Sequence, residues 1–186
     1  MTADETFETL LAAVQRGDEA AAADLYRRVQ PRLARYLRFE EPQVADDLAA
    51  EVWVTIAAKL ATFEGDEDGF RALAFTIARR RVIDHRRRGV RRRTSAAAPE
   101  TFADRVDEHH GADPSTALDA QEAVDRIVAL LPPAQAEVVL LRVVADLDAE
   151  TVAQMVGRSA NWVRVTQHRA LKKLAEQLRR PTDVTP

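Results

Sequence analysis

The side chains best suited to chemistry in this chain are arginines, and the chemistry that they favour is the binding of a polyanion. Ten arginines lie between residues 71 and 93, against a single acid, Asp84. So dense a positive charge repels itself unless an anionic partner neutralises it, although a solvated helix surface is the simpler alternative. Residues 1–70 have the opposite character, with 15 acidic and seven basic side chains. Separate blocks of charge predict separate partners, a polyanion for one block and a basic protein for the other.

Groups of residues that could catalyse a reaction are poorly developed. The chain contains no cysteine, which excludes disulfides, thiolate metal sites and cysteine nucleophiles. Asp84 and His85 are of the types found in metal phosphohydrolases, but such a site needs further histidines from the same helical core, and the other three lie beyond residue 100. Asp46 and Asp47 lack a partner base. We therefore expect a protein that is not an enzyme and that uses no metal and no cofactor.

The composition favours a helical, soluble protein. The chain has 186 residues, of which 46% are hydrophobic and 31% charged, enough to build a core. Only six glycines and eight prolines argue against a turn-rich β architecture, and stretches rich in Ala, Leu, Arg and Glu predict helices. No apolar run approaches the roughly 18 residues of a membrane span, and the acidic N-terminus does not resemble a signal peptide. We therefore expect an all-α protein, without membrane insertion, in the cytoplasm.

Apolar periodicity predicts a first domain over residues 1–88. Helices are predicted over residues 4–15, 18–38, 43–61 and 70–88. The polar, glycine-bounded segment 62–69 is predicted to be a loop, and Pro31 should kink the second helix. The fourth helix should bury Phe70 and Leu73 and leave a wet, basic side. The predicted unit is thus a helical bundle with one strongly charged surface.

A second domain is predicted over residues 118–180. Residues 89–117 lack periodicity and are rich in Ser, Ala, Pro and Asp, which favours a flexible linker, and residues 181–186 look like a frayed tail. Within the second domain, helices are predicted over residues 118–131, 133–145, 148–156 and 160–179. The expected fold is therefore all-α, with two small helical domains, an N-terminal helical bundle and a C-terminal helix-turn-helix, joined by a flexible linker.

The last two predicted helices have the features of a DNA-reading helix-turn-helix. Gly157 permits the turn, Ala153 lets the helices cross closely, and Ser159 is a candidate N-cap. Six basic residues between 164 and 180 oppose one acid, which argues against a hairpin that only packs. Trp162 either packs on the preceding helix or lies against the DNA backbone. Arginine reads guanine edges and lysine suits phosphate, so the residues that we place against DNA are Asn161, Arg164, Val165, His168, Arg169 and Lys172.

The order of these features resembles one family, the extracytoplasmic-function sigma factors of the sigma-70 class. The family's core-binding helix resembles VADDLAAEVWVTIAAKL, its promoter-melting and −10 segment resembles FRALAFTIARRRVIDHRRR, and its −35 reader resembles LPPAQAEVVLLRVVADLDAETVAQMVGRSANWVRVTQHRALKKL. The resemblance covers most of residues 18–88 and 118–178. The chain departs from the family's pattern at Leu73, Arg80 and Leu171, where Trp, Asn and often Arg are usual, and the first two departures bear on the −10 base preference.

The resemblance implies roles for the acidic helix and for the segment that follows it. The acidic side chains would face basic clamp helices of RNA polymerase, where electrostatic matching speeds and orients docking, a solvated surface being the alternative. Core binding is assigned to Asp46, Asp47, Glu51 and Trp53. The loop Phe63–Phe70 resembles the family's specificity loop, which captures a base flipped from the melted strand. Contact with −10 DNA is assigned to Phe63, Phe70, Arg71, Phe75, Arg79, Arg80, Arg86, Arg87 and Arg88, although Phe70 and Phe75 could equally be core residues.

The resemblance also implies the partners. These are core RNA polymerase, through its clamp helices and flap, double-stranded promoter DNA, the melted non-template strand and an anti-sigma factor. Contributors to the flap contact would be Val138, Leu141, Arg142 and Val144, with core packing as the alternative for the apolar ones. The implied function is that of a sigma factor that binds core RNA polymerase and directs promoter recognition and DNA melting. The alternative is a helix-turn-helix transcription regulator with a helical N-terminal sensor or dimerisation domain, which would bind palindromic operators without polymerase.

Overall fold

Seven α-helices dominate the part of the chain that the computed structural model describes, which is residues 3–95, 128 and 130–179. They are α1 (Ala3–Gln15), α2 (Glu19–Glu40), α3 (Ala45–Leu60), α4 (Glu67–Ser95), α5 (Pro133–Val139), α6 (Ala149–Val156) and α7 (Ala160–Arg179). A 3-10 turn, Pro42–Val44, precedes α3, and a π-helical turn, Leu140–Val144, follows α5. No strand occurs in the described ranges, and the all-α prediction is confirmed.

The connection between α1 and α2 is built from the residues that the sequence singles out. Gly17 has a φ of +90° and ends α1. Asp18 caps α2, since its Oδ1 accepts from the Ala21 N–H at 3.0 Å. α2 then continues through Pro31 to Glu40, and Pro31 itself is exposed. The buried neighbours Val29 and Leu33 hold this helix on the core on both sides of the proline.

α4 is longer than predicted at both ends. Asp66 caps its beginning, since the Gly69 N–H donates to Asp66 Oδ1 at 2.7 Å, and the helix starts at Glu67. At the other end it continues through Gly89 to Ser95, because arginines are good helix formers and outweigh a single glycine. The first residues of the predicted linker are therefore helical. The rest of that linker, most of the helix predicted over 118–131 and the tail 181–186 lie outside the described residues.

The helices form two lobes that pack against each other. We call residues 3–95 the N-terminal lobe and residues 130–179 the C-terminal lobe. Buried side chains of both belong to one connected core, and α2 packs against the π-helical turn. None of the helices in the described parts of the chain joins the length and the apolarity that crossing a membrane requires. The domain limits 1–88 and 118–180 remain predictions.

Candidate nucleic-acid interface

One side of α7 gathers the residues predicted to read double-stranded DNA. Its opposite side is buried and consists of Val163, Thr166, Ala170 and Leu174, at spacings of three and four residues. An exposed helix side of this kind fits the major groove, which is about 12 Å wide. All six residues predicted for this surface are exposed: Asn161, Arg164, Val165, His168, Arg169 and Lys172.

The turn before α7 sets how this helix is presented. Gly157 has a φ of +67°, in the left-handed region that glycine adopts without strain, and the Gly157 and Arg158 N–H groups both donate to the Ala153 carbonyl. Ser159 then caps α7, since its Oγ accepts from the Trp162 N–H at 3.2 Å. The two helices are thereby joined by a short turn that these hydrogen bonds hold at both ends.

The beginning of α6 is fixed by a second cap. Asp148 accepts from the Thr151 N–H at 2.8 Å and from the Thr151 hydroxyl at 2.6 Å. These hydrogen bonds, the hydroxyl first, hold the pKa of Asp148 below its usual value, because they stabilise the ionised carboxylate. The helix that supports α7 is therefore anchored by a charge that is present at neutral pH.

The four residues predicted to contact the polymerase flap are buried or bonded within the C-terminal lobe. Arg142 Nε donates to Gln167 Oε1 at 3.0 Å, and its Nη1 donates to the Leu147 carbonyl, so Arg142 braces the loop before α6 against α7. Core packing is the arrangement observed for the three apolar candidates, Val138, Leu141 and Val144. The exposed apolar side chain of the same turn is Val143.

Sequence reasoning missed two side chains at the rim of the α7 surface. Glu150 forms an ion pair with Arg164 and so orients its guanidinium. Arg158 lies 5.6 Å from the ring centroid of Trp162, a cation–π arrangement at the start of α7. Trp162 itself is half-buried against the core, which favours the packing alternative of the two left open. The position of Arg158, directly before the candidate N-cap Ser159, was the sequence feature that could have placed it beside the start of α7.

Two arginines in the first half of α4 form ion pairs with the C-terminal lobe. Arg71 Nη1 lies 2.9 Å from Asp146 Oδ2, and Arg79 Nε lies 2.7 Å from Glu137 Oε1. Arg80 remains exposed. Carboxylates of one lobe therefore occupy two of the arginines that were predicted to meet the −10 DNA.

A groove of about 390 Å³ runs between the lobes beside these arginines. Leu73 is half-buried in its wall. The remaining lining comes from α4 and α6, namely Ala72, Thr76, Arg79, Arg80, Thr151, Gln154 and Met155. The groove thus combines two guanidinium groups with apolar and hydroxyl side chains.

The three phenylalanines predicted to meet a base lie in the core or against it. Phe70 and Phe75 are fully buried, and Phe75 packs edge-on against Tyr36 with ring centroids 5.6 Å apart. Phe63 is half-buried, with its ring edge-on to Phe70 at 5.5 Å. Because a ring without an exposed face cannot stack on a base, core packing is the alternative observed for Phe70 and Phe75.

Arg86, Arg87 and Arg88 are all exposed, and Arg86 also pairs with two acids at the end of α2. Arg86 Nη2 lies 2.7 Å from Glu40 Oε2, and Arg86 Nε lies 2.5 Å from Glu41 Oε1. Burial raises the pKa of Glu40, although Arg86 opposes that shift. Arg86 thus anchors α4 to the end of α2, and any phosphate contact in this stretch falls to its exposed neighbours.

The acidic residues of α3 point outward to different degrees. Asp46 and Asp47 are exposed, and an Asp46 oxygen lies 3.9 Å from Arg38 Nη2. Glu51 is half-buried, and its Oε2 lies 3.4 Å from Arg81 Nη1 on α4. Of these three acids, the two more exposed therefore lie at the beginning of α3.

Aromatic and apolar side chains adjoin these acids. Trp53 Nε1 donates to Gln30 Oε1 at 2.6 Å, and the Trp53 ring lies 4.8 Å from that of Tyr26. Val54, on the next position of α3, is 72% exposed. Tyr26 and Val54 were not predicted, and the signal for Tyr26 was hidden because it shares a helix stripe with core residues. The surface combines charge with apolar area, as protein interfaces do.

Comparison with known proteins identifies the family. The profile of the ECF sigma factor family matches residues 4–180. The chain is 34% identical over 185 residues to the ECF RNA polymerase sigma factor ShbA of Streptomyces griseus, covering 94% of this chain and 97% of that protein. It is 31% identical over 182 residues to the ECF RNA polymerase sigma factor SigD of Mycobacterium tuberculosis, covering 94% of this chain and 84% of that protein.

Two solved structures share the fold. One is CnrH in complex with the cytosolic domain of CnrY, with a TM-score of 0.61, 21% identity and coverage of 95% of this chain and 97% of that one. The other is the sigma factor RpoE of Bartonella quintana in complex with the anti-sigma factor NepR, with a TM-score of 0.63, 23% identity and coverage of 82% and 93%. With an acidic helix, an arginine-rich helix and a helix-turn-helix in one chain, and a family match over nearly all of it, the chain belongs to the extracytoplasmic-function sigma factors, which direct RNA polymerase in transcription initiation.

Proposed function

We propose that this sigma factor divides its task among three surfaces, an acidic one on α3 and basic ones on α4 and α7. The observation that carries the proposal is the separation of exposed charge, with Asp46 and Asp47 on α3 and a row of basic side chains on α7. A negative surface repels DNA and attracts a basic protein, whereas a positive helix side does the reverse. The chain acts by binding rather than by catalysis, and it acts in the cytoplasm, where RNA polymerase and the chromosome meet.

The first surface binds the clamp helices of core RNA polymerase. The charges of Asp46, Asp47 and Glu51 orient the encounter, and Trp53, held by Gln30, supplies the apolar anchor. Electrostatic matching raises the association rate, while buried apolar area slows dissociation. The hydrogen bond from Trp53 to Gln30 supports this role, because it holds the indole in one orientation before binding. On the C-terminal lobe, Val143 is the exposed apolar side chain available to the polymerase flap.

The second surface binds the −10 element. Arg71, Arg79 and Arg80 would contact the melted non-template strand, while Arg87 and Arg88 hold phosphates without reading sequence. For Arg71 and Arg79 this requires that their ion pairs with the C-terminal lobe break first. The loop of residues 61–66, which connects α3 to α4, would hold the flipped base. Its exposed polar side chains would contact the base edges, because the rings of Phe70 and Phe75 are buried and cannot stack on the base.

The third surface is the exposed side of α7, which reads the −35 element. Arg164, His168 and Arg169 would reach base edges, Asn161 and Val165 would lie beside them, and Lys172 would contact phosphate. Arg164 is exposed on this side of α7, and its ion pair with Glu150 must break before the guanidinium donates to a base edge. The N-terminal domain, residues 1–88, and the C-terminal domain, residues 118–180, would bind the two promoter elements separately.

An anti-sigma factor would control this chain. Both structural neighbours were solved with a bound partner, CnrY for CnrH and NepR for RpoE. A partner that covers the same acidic, arginine-rich or α7 surfaces would prevent the encounter with polymerase or promoter.

Run-off transcription with purified core RNA polymerase tests the proposal. Core enzyme plus the full chain should start transcripts at defined positions on genomic fragments, and core enzyme alone should not. Binding assays on the mapped promoters should show tight, specific binding only when core enzyme is present. Tight binding of the chain alone to palindromic DNA, without defined transcripts, would instead favour the transcription regulator.

A further inference from the structure

The loop between α3 and α4 is held in place from several directions. Asp66 fastens its end to α4 through the Gly69 N–H at 2.7 Å. The Phe63 ring folds inward against Phe70 and over Gly65, where a Cβ would lie 3.1 Å from Phe63 Cζ. Gly65 also has a φ of +150°, which other residues rarely adopt. The backbone of the loop therefore follows one path, and its exposed polar side chains project from that path.

α1 supplies the fastening at the other end of the loop. Gln15, the last residue of α1, donates from Nε2 to the Leu60 carbonyl at 3.0 Å and to the Phe63 carbonyl at 2.9 Å. Leu60 is the last residue of α3, and its carbonyl also accepts from the Phe63 N–H at 3.2 Å, so that Gln15 reinforces the turn that follows the helix. One carboxamide thus uses both of its hydrogens to join the end of α3 to the middle of the loop.

A second contact from α1 reaches the same place. Phe7 is buried with its ring centroid 6.0 Å from that of Phe70, and Phe70 in turn supports Phe63. α1 therefore contacts the loop through both a polar and an aromatic path. The polar path is the more specific of the two, because it sets the direction of two backbone carbonyls rather than filling space.

We propose that Gln15 is a positioning residue for base recognition at the −10 element. It sets the backbone of residues 60–63, and that backbone sets where the loop's side chains stand when a base leaves the stack. The proposal rests on the role of the loop given above. Gln15 itself does not touch DNA. Its loss therefore should lower the discrimination between bases at the melted positions, because a looser loop fits the preferred base less closely and the other bases equally well.

A promoter library separates this effect from simple loss of stability. Core RNA polymerase is mixed with the full chain and with DNA in which the −35 and −10 windows are both randomised, and the transcripts are sequenced. The base enrichment in the −10 window measures base discrimination by the loop. The enrichment in the −35 window measures base discrimination by α7 in the same reaction. A merely destabilised protein gives fewer transcripts but keeps both enrichment ratios.

The variants are chosen by their hydrogen-bonding groups. Gln15→Met keeps the length and helix propensity of the side chain and removes both donors, whereas Gln15→Glu places an acceptor against two carbonyls. Glu64→Ala changes an exposed side chain of the loop directly. Gln43→Met is the matched control, since Gln43 is an exposed glutamine in the 3-10 turn before the opposite end of α3.

We expect Gln15→Met to reduce the −10 enrichment ratio about threefold to tenfold, from the loss of two hydrogen bonds, and to leave the −35 ratio unchanged. Gln15→Glu should reduce it at least as much, and Gln43→Met should behave as wild type. If Glu64→Ala changes the −10 ratio and both Gln15 variants leave it unchanged, the proposal is wrong although the loop still reads the base. If the wild-type chain shows no −10 enrichment at all, the role of the loop fails, and the role of Gln15 fails with it.

Discussion

Arg71 and Asp146 join the two lobes, with Arg71 Nη1 2.9 Å from Asp146 Oδ2. The Arg71 side chain is only 12% exposed, and Asp68 pairs with its other terminal nitrogen. Asp146 has a φ of +55°, which among the described residues is the one positive value outside glycine. The ion pair between Arg79 and Glu137 lies on the same boundary. In this arrangement the C-terminal lobe covers part of the surface that we propose to bind the −10 element.

Removing the two carboxylate charges should therefore open the lobes. Glu137→Gln with Asp146→Asn keeps size and, at residue 146, keeps a residue that tolerates the left-handed backbone. With solvent screening taken into account, the two pairs together are worth about 1–2 kcal/mol, so the opening equilibrium should shift about tenfold. Since the chain has no cysteine, Glu8→Cys and Glu176→Cys place one dye on each lobe, and energy transfer between them should fall.

The same double variant should bind a single-stranded oligonucleotide more tightly without core enzyme, as measured by fluorescence anisotropy. Asp24→Asn is the control, because Asp24 pairs with Arg28 inside the N-terminal lobe. Unchanged energy transfer in the double variant would mean that these ion pairs do not hold the lobes together.

Charge reversal at the beginning of α3 should weaken core binding. Asp46→Lys with Asp47→Lys places positive charge against basic clamp helices, and we expect a slower association rate and an affinity at least tenfold lower. Glu8→Lys, an exposed acid on α1, is the matched control. Surface plasmon resonance on immobilised core enzyme measures both, with circular dichroism as the check on folding. Core binding at the wild-type rate would show that the acidic helix has a different partner.

Two neighbouring cations on α7 should behave differently. Arg169→Ala should lower discrimination at the −35 element by about 1–3 kcal/mol, because a base edge loses its donor. Lys172→Ala should weaken binding to all sequences alike and reduce the salt dependence by about one counterion. Promoter binding by the holoenzyme at several salt concentrations separates the two effects. A loss of core binding in Arg169→Ala would show that Arg169 contacts the polymerase and not the −35 DNA.

The cap at Asp148 should make the C-terminal lobe sensitive to acid. Because hydrogen bonds from Thr151 hold the pKa of Asp148 below its ordinary value, its contribution is complete above that ordinary value and is lost as the pH falls through the lowered pKa. Asp148→Ala should cost about 1 kcal/mol of unfolding free energy at neutral pH. Asp148→Asn keeps a cap without a titrating group.

Thermal unfolding from neutral to acidic pH measures this effect. The stability difference between wild type and Asp148→Asn should change only at acidic pH, in the direction of a weaker wild type. A difference that stays constant across the whole range would remove Asp148 from the acid response.

The exposed side of α7 was predictable because its buried side is simple. Val163, Ala170 and Leu174 recur at helical spacing, and this pattern alone determines that Arg164 and Arg169 point away from the core. The Gly157 turn was equally readable, since few residues other than glycine enter the left-handed region without strain. Helix orientation and turns of this kind depend on nearby residues, and the sequence around α7 has a clear apolar repeat.

The −10 surface was harder to predict, because its geometry depends on distant residues. A phenylalanine that stacks on a base and one that fills a core occupy the same kind of helix position, so Phe70 and Phe75 could not be assigned from spacing. The partners of Arg71 and Arg79 lie in the other lobe, and Arg86 is held by the end of α2. Charge density predicts a cationic surface but does not show which arginines are already neutralised.

The continuation of α4 to Ser95 places arginines beyond residue 88 on a regular helix instead of a flexible linker. At 3.6 residues per turn, Arg88 stands one turn before Arg92, so that two exposed positive charges are neighbours on the helix surface. Such neighbours oppose helix formation by a few tenths of a kcal/mol per pair. A phosphate backbone bound beside these arginines would remove that opposition, so the last turns of α4 should become more stable when the proposed DNA contact forms.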